Sequence, residues 1–252
     1  MKIYSILLVF FLSSSIFCQV KEFDPYVSVY KMRSDEGRKK ILYIGGGDYH
    51  DDLRKAAILR KLLEVDNNYY VSYTEDYDVF TRSIKEYDLI LINTKINRLT
   101  NKQYKGLLKA IKKGLPVLGI HAASASFRRT SKVERPEFYN MLGGKFDHHP
   151  KMHTFQIELE ENNGILDESF ANYDLHDELY FYSNYNTSNK VLLKASYKGK
   201  YSPMAWVKKY GKGKVFFTAL GHSPAVTKDK NFQKLILFAV NWLLDTSIKF
   251  AE

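Results

Sequence analysis

Seven histidines, a few carboxylates and one cysteine decide which chemistry this chain can carry. Three of the histidines stand at the ends of apolar runs. His50 follows Lys39–Gly45 and its glycines, His121 ends Pro116–Ile120, and His222 follows Thr218-Ala219-Leu220-Gly221. An imidazole titrates near neutrality and, when neutral, ligates metals, so such a set suits proton transfer or cation binding. His148, His149 and His153 gather around Pro150, and His176 precedes Asp177-Glu178. No fixed ligand spacing links that second group, and only His149 is kept from it as a candidate. Cys18 is the single cysteine and lies within residues 1–18, ahead of the domain, which leaves the domain without thiol chemistry or a disulfide. Gly45-Gly46-Gly47-Asp48 would let a ligand approach the backbone. Without a following Lys-Ser/Thr it is not a phosphate loop.

The elements that must position these residues alternate in type. Lys39–Gly45 reads as a strand, and Asp51–Glu64 as a helix with Leu53, Ala56, Ala57, Arg60 and Leu63 on one period and aspartates suited to its start. Tyr69–Thr74 and Asp88–Asn93 read as strands. Thr100–Lys113 reads as a helix with Thr100 and Gln103 as a capping box and Tyr104, Leu107, Leu108 and Ile111 as its stripe. Pro116–Ile120 is the next strand and stops at His121 among small residues. This alternation predicts an α/β fold with a doubly wound, mostly parallel sheet, in which ligands gather outside the carboxyl ends of the strands. Beyond Gly144 the pattern becomes strand-rich: His153–Glu160, Glu178–Tyr182, Lys190–Ser196, and Pro203–Lys209 joined by a Gly-Lys-Gly turn to Lys214–Ala219. A final helix over about Asp229–Leu244 buries Phe232, Leu235, Ile236, Ala239, Val240 and Leu243.

Several pieces in order carry a resemblance: Gly119-Ile120-His121-Ala122-Ala123, Leu142-Gly143-Gly144-Lys145-Phe146 with His149-Pro150, Asp177-Glu178-Leu179-Tyr180, and Ala205-Trp206 through Gly211-Lys212-Gly213 to Leu220-Gly221-His222. Together they resemble the ThuA-like (trehalose-utilisation) family over roughly Lys39–Leu244. The resemblance implies a glutamine-amidotransferase-like, flavodoxin-like fold and a sharp strand-to-helix turn presenting one residue. In class I amidotransferases that residue is cysteine; here it is His121, so glutamine hydrolysis by their thiolate route is not available. It also implies a link to sugars. On this reading His121, His222 and Glu178 are the catalytic candidates. His50, Gly46, Asp48, His149 and Tyr180 are substrate-binding candidates, and a divalent cation such as zinc is an option at His121, His222 and Glu178. Many relatives carry a second His-Pro pair upstream of the Asp-Glu-Leu-Tyr segment, where this chain has Asn162-Asn163-Gly164-Ile165-Leu166.

Composition bounds the rest. With 252 residues, 45% of them hydrophobic and 15% aromatic, the chain can bury one sizeable core. Its formal charge of +10 comes from 38 basic residues scattered among 28 acids, which argues for a solvated basic surface and against a nucleic-acid partner. Met1-Lys2 and the apolar run Ile3–Leu12 resemble a secretory signal peptide over residues 1–18, too short to span a membrane. Residues 19–38 read as a linker or arm and 39–246 as the domain. The expectation is an exported, periplasmic or extracellular protein acting on a small-molecule carbohydrate, a sugar or oxidised sugar, as a hydrolase or isomerase. The alternative is a non-catalytic carbohydrate-binding module on the same fold.

Overall fold

Short runs of Ile, Leu, Val and Tyr between glycines, prolines and asparagines form the strands that carry everything else. A computed structural model of the protein describes residues 35–47, 50–127, 135–161 and 163–245. The leader and most of the arm expected before residue 39 lie outside these residues.

In chain order the elements are β1 (Lys39–Ile44), α1 (Asp52–Leu63), β2 (Tyr69–Thr74), α2 (Val79–Arg82), β3 (Leu89–Ile92), α3 (Asn101–Lys112), β4 (Val117–Ile120), α4 (Pro136–Leu142), β5 (Lys145–His148), β6 (His153–Leu159), β7 (Tyr173–Asp177), β8 (Phe181–Ser183), β9 (Lys190–Tyr197), β10 (Lys200–Tyr210), β11 (Gly213–Thr218), α5 (Pro224–Lys228) and α6 (Lys230–Leu244). Nine strands make one sheet in the order β2-β1-β3-β4-β11-β10-β9-β6-β7, and β5 pairs with β8 in a small second sheet. From β2 to β11 the pairings are parallel, and from β11 to β7 they are antiparallel.

The architecture is therefore mixed α/β, and the sheet is parallel over one half only. The Gly-Lys-Gly turn explains the change. It folds β11 back on β10 as a hairpin, Tyr210 opposite Gly213, with no helical crossover to keep the strands parallel. The parallel strands β3 and β4 are buried at every residue, as strands covered on both faces must be.

Local chemistry sets the helix ends. The Thr100 side chain accepts from the Gln103 amide while Gln103 returns to the Thr100 N–H, a reciprocal cap contributing about 1 kcal/mol. Leu107, Leu108 and Ile111 are buried beneath it, at roughly 1.5–3 kcal/mol each, whereas Tyr104 is only half-buried. Asp229 caps α6, whose buried stripe contains the six residues expected together with Trp242. Two expectations fail at α1. Asp51 adopts a left-handed conformation and makes no side-chain cap, and Leu53 is 50% exposed. The inward face of α1 is Asp52, Lys55, Ala56, Leu59 and Leu63, one residue out of phase with an apolar reading, because a buried ion pair occupies its first turn.

The strand expected over Glu178–Tyr182 is also displaced. β7 ends at Asp177 and β8 begins at Phe181, leaving Glu178-Leu179-Tyr180 as a connector crossing the end of the sheet. Trp206 is fully buried with its Nε1–H donating to the Leu142 carbonyl at 2.9 Å.

Candidate active site

β4 ends by turning abruptly. His121 takes φ of +46° at the start of a short 3₁₀ turn, a left-handed conformation costing a side-chain-bearing residue about 1–2 kcal/mol. The surroundings hold it there. The ring is fully buried, and its Nδ1 lies 2.6 Å from the Ala219 carbonyl at the end of β11. A carbonyl only accepts, so Nδ1 carries the proton, and in the neutral ring Nε2 presents a lone pair.

Two groups meet that Nε2 directly. The Tyr180 hydroxyl is 2.8 Å away and donates to it, and Glu178 Oε2 is 3.4 Å away. Glu178 Oε1 is 3.4 Å from His149 Nε2 and 3.3 Å from His222 Nδ1. The His50 ring stands edge-on to both His121 and His222, with centroids 5.0 and 4.9 Å apart. One ring nitrogen from each of His50, His121 and His222 lies within 4.8 Å of the others.

Charge follows from this packing. Burial, reinforced by the charges of His121, Lys55 and His222, lowers the His50 pKa to about 3, so it is a neutral imidazole at any physiological pH. Burial alone would raise the Glu178 carboxyl, but the neighbouring His121 and His222 imidazoles outweigh it and hold the group below the usual carboxylate range. The same contact with Glu178 raises His222. Burial chiefly, and then Glu178, pushes the Tyr180 phenol well above its ordinary value, so it is a hydrogen-bond donor and not a phenolate.

Behind these groups lies a second set that the sequence reading did not single out. Asp177 is fully buried and accepts from the backbone N–H of Gly221 (2.9 Å), His222 (3.3 Å) and Glu178 (2.9 Å). Lys55, fully buried, pairs with Asp52 at 3.2 Å and reaches Asn93 Oδ1 at 3.4 Å and the Gly221 carbonyl at 3.5 Å. The Gly221-His222 loop is thus held by its N–H groups on one side and by a carbonyl on the other. The adjacency of Asp177 to Glu178 in the motif was the available signal for Asp177. An Asp and a Lys three apart on the inward stripe of α1 was the signal for the pair.

Of the residues singled out from sequence, His50, His121, His149, Glu178, Tyr180 and His222 come together. Gly46 lines an adjoining cavity, and Asp48 lies outside the described residues. The glycines owe their identity to packing: a Cβ at Gly46 would come within 2.9 Å of the Glu75 side chain and one at Gly47 within 2.7 Å of Thr94 Oγ1. His148, His153 and His176 point to local partners, namely Asp147, the Lys151 carbonyl and Thr154.

The structure is thus an α/β sheet whose strand ends carry a histidine cluster beside a carboxylate connector. The chain belongs to the ThuA (trehalose utilisation) family, whose model matches residues 40–243. No curated protein matches the sequence. Among solved structures, it is similar to a putative ThuA-like protein from Parabacteroides merdae (18% identity, TM-score 0.72, 85% of this chain and 92% of that one). A putative ThuA-like protein from Bacteroides uniformis is comparable (20%, TM-score 0.70, 86% and 97%). A β-galactosidase from Bacillus circulans sp. alkalophilus shares the fold over a third of its length (13%, TM-score 0.57, 85% and 32%).

Proposed function

We propose that this is an enzyme of carbohydrate metabolism in which His50, His121 and His222 hold a divalent cation of the zinc type and Glu178 is the base. The observation that carries the reading is the meeting of three imidazole nitrogens within 4.8 Å beside one carboxylate. The donor set fits such an ion. His50 Nδ1 and His222 Nδ1 are buried with no aligned hydrogen-bond partner among the described residues, although His222 Nδ1 is close to Glu178. His121 gives its other N–H to a backbone carbonyl, the usual way a ligating imidazole is oriented.

When bound, such an ion polarises a carbonyl or lowers the pKa of a water. The chain's own residues do the rest. Glu178, held as carboxylate, takes a proton from water or from a carbon beside a sugar carbonyl. Tyr180 orients Glu178 and His121, while His149, its Nε2 3.4 Å from Glu178 Oε1, flanks the carboxylate on the solvent side. This differs from the expectation in its assignment: His50 joins the ion-binding set and Glu178 becomes its neighbour. Substrate and reaction type, a sugar or oxidised sugar undergoing hydrolysis or isomerisation, extend the family's description to this chain. The doubly wound, amidotransferase-like winding, the 39–246 domain boundary and export through residues 1–18 belong to the same proposal. The order β2-β1-β3-β4 supports the winding. No helix among the described residues is long and apolar enough to cross a membrane.

Metal content by plasma mass spectrometry, on protein purified without chelator or metal-affinity tag, tests the reading. Near-stoichiometric divalent metal lost in both His50→Ala and His121→Ala is expected. Metal-free protein that takes up no zinc on titration would overturn the cation. A sugar and keto-sugar turnover screen would then separate metal-free acid–base catalysis from plain sugar binding.

A further inference from the structure

β1 connects onward to β2 on one side of it, and the chain then crosses to β3 on its other side. At such a reversal the loops leaving the two neighbouring strands diverge and open a crevice outside their carboxyl ends, where ligands of α/β sheets bind. The protein has a cavity of about 190 Å³ there. Gly46, Gly47, His50 and Asp52 from the β1 side line it, facing Thr94, Lys95, Asn97 and Arg98 from the β3 side, with Tyr77 from beyond β2. His50 belongs to both this cavity and the histidine cluster, so a ligand in the crevice reaches the reacting centre directly.

The geometry points to this crevice as the subsite for the anionic end of the substrate: a single sugar ring carrying a carboxylate or a phosphate ester. Charge argues for the anion. Among the described residues of the wall the only acid is Asp52, and buried Lys55 already pairs with it at 3.2 Å, whereas Arg98 brings a cation. Arg98 is exposed and has no ion pair among the described residues, so its fork of donors is available for a bidentate contact. The Tyr77 ring, half-buried and stacked on Phe80 at 6.0 Å, gives an aromatic wall for a sugar face. Size argues for one ring. The cavity is smaller than the roughly 300–1,000 Å³ of sites for drug-sized ligands and suits a single ring. The inference rests on the proposed function for its reacting end at His50 and adds the substrate's charge and size.

Isothermal titration calorimetry with D-gluconate, D-glucose 6-phosphate, D-glucose and trehalose tests it, on wild type and Arg98→Ala. At least one of the two anions is expected to bind about tenfold or more tightly than glucose, and whichever binds identifies the anionic group. Arg98→Ala should weaken that binding about tenfold, the scale of one charge-assisted contact, while its metal content stays at the wild-type level. Glucose or trehalose binding as tightly as both anions, no binding of any of the four, or an Arg98→Ala variant with unchanged anion affinity would each overturn the subsite. Metal present with no anion preference sinks this inference and leaves the proposed function standing. Anion preference in a protein that takes up no metal does the reverse.

Discussion

The two halves of the sheet contribute differently to the candidate site. The parallel half supplies the imidazoles: His50 after β1, His121 after β4 and His222 after β11, all at carboxyl ends that parallel pairing necessarily brings to one edge. The antiparallel half supplies the groups that act on them. Glu178 and Tyr180 lie on the connector from β7 to β8, while His149 lies just past β5 of the small second sheet. Parallel strands fix where residues sit because each begins from the same side. Antiparallel strands place their connectors at alternating edges, and here one connector becomes the cover. The site exists only where the halves meet, and Asp177 is the joint, its carboxylate at the end of β7 gripping the loop that carries His222.

Breaking that joint should have the largest effect. Asp177→Ala strands three backbone N–H groups, two of them in the partly enclosed Gly221-His222 loop, and should cost about 3 kcal/mol or more by urea denaturation. Metal content should fall with it if Asp177 holds His222 in place. An unchanged midpoint would show that the halves meet without it. Glu178→Gln keeps the shape of the connector and removes only its charge and basicity. It should lower turnover of whichever sugar the wild type converts by about 10²-fold or more, while metal is retained, since the imidazoles belong to the other half. Loss of metal in that variant would make Glu178 a ligand instead. Thr100→Ala, far from the joint, should cost only about 1 kcal/mol through the lost cap and leave metal and turnover unchanged. A larger functional effect would mean that the parallel half is less rigid than its buried strands suggest.

Much of this was legible from residue types and spacing. The capping box at Thr100 and Gln103, the stripe of α6, the hairpin at Gly211-Lys212-Gly213 and the abrupt turn at His121 follow from local rules, and each is found. Histidines at the ends of apolar runs had to fall on one edge if those runs paired in parallel, so the sequence by itself determined that His50, His121 and His222 would be neighbours. Tertiary structure alone decided the rest. Lys55 and Asp52 look like an ordinary solvated pair in sequence, and only packing against Asn93 and Gly221 buries them and turns Leu53 outward. The orientation of Glu178 towards three imidazoles, and of Arg98 towards a crevice, depends on contacts between residues distant along the chain. Periodicity reports which face of an element is apolar, because burial repeats with the pitch of the backbone. Which polar groups that burial brings face to face has no period, and it is fixed only once the sheet has closed on its order of strands.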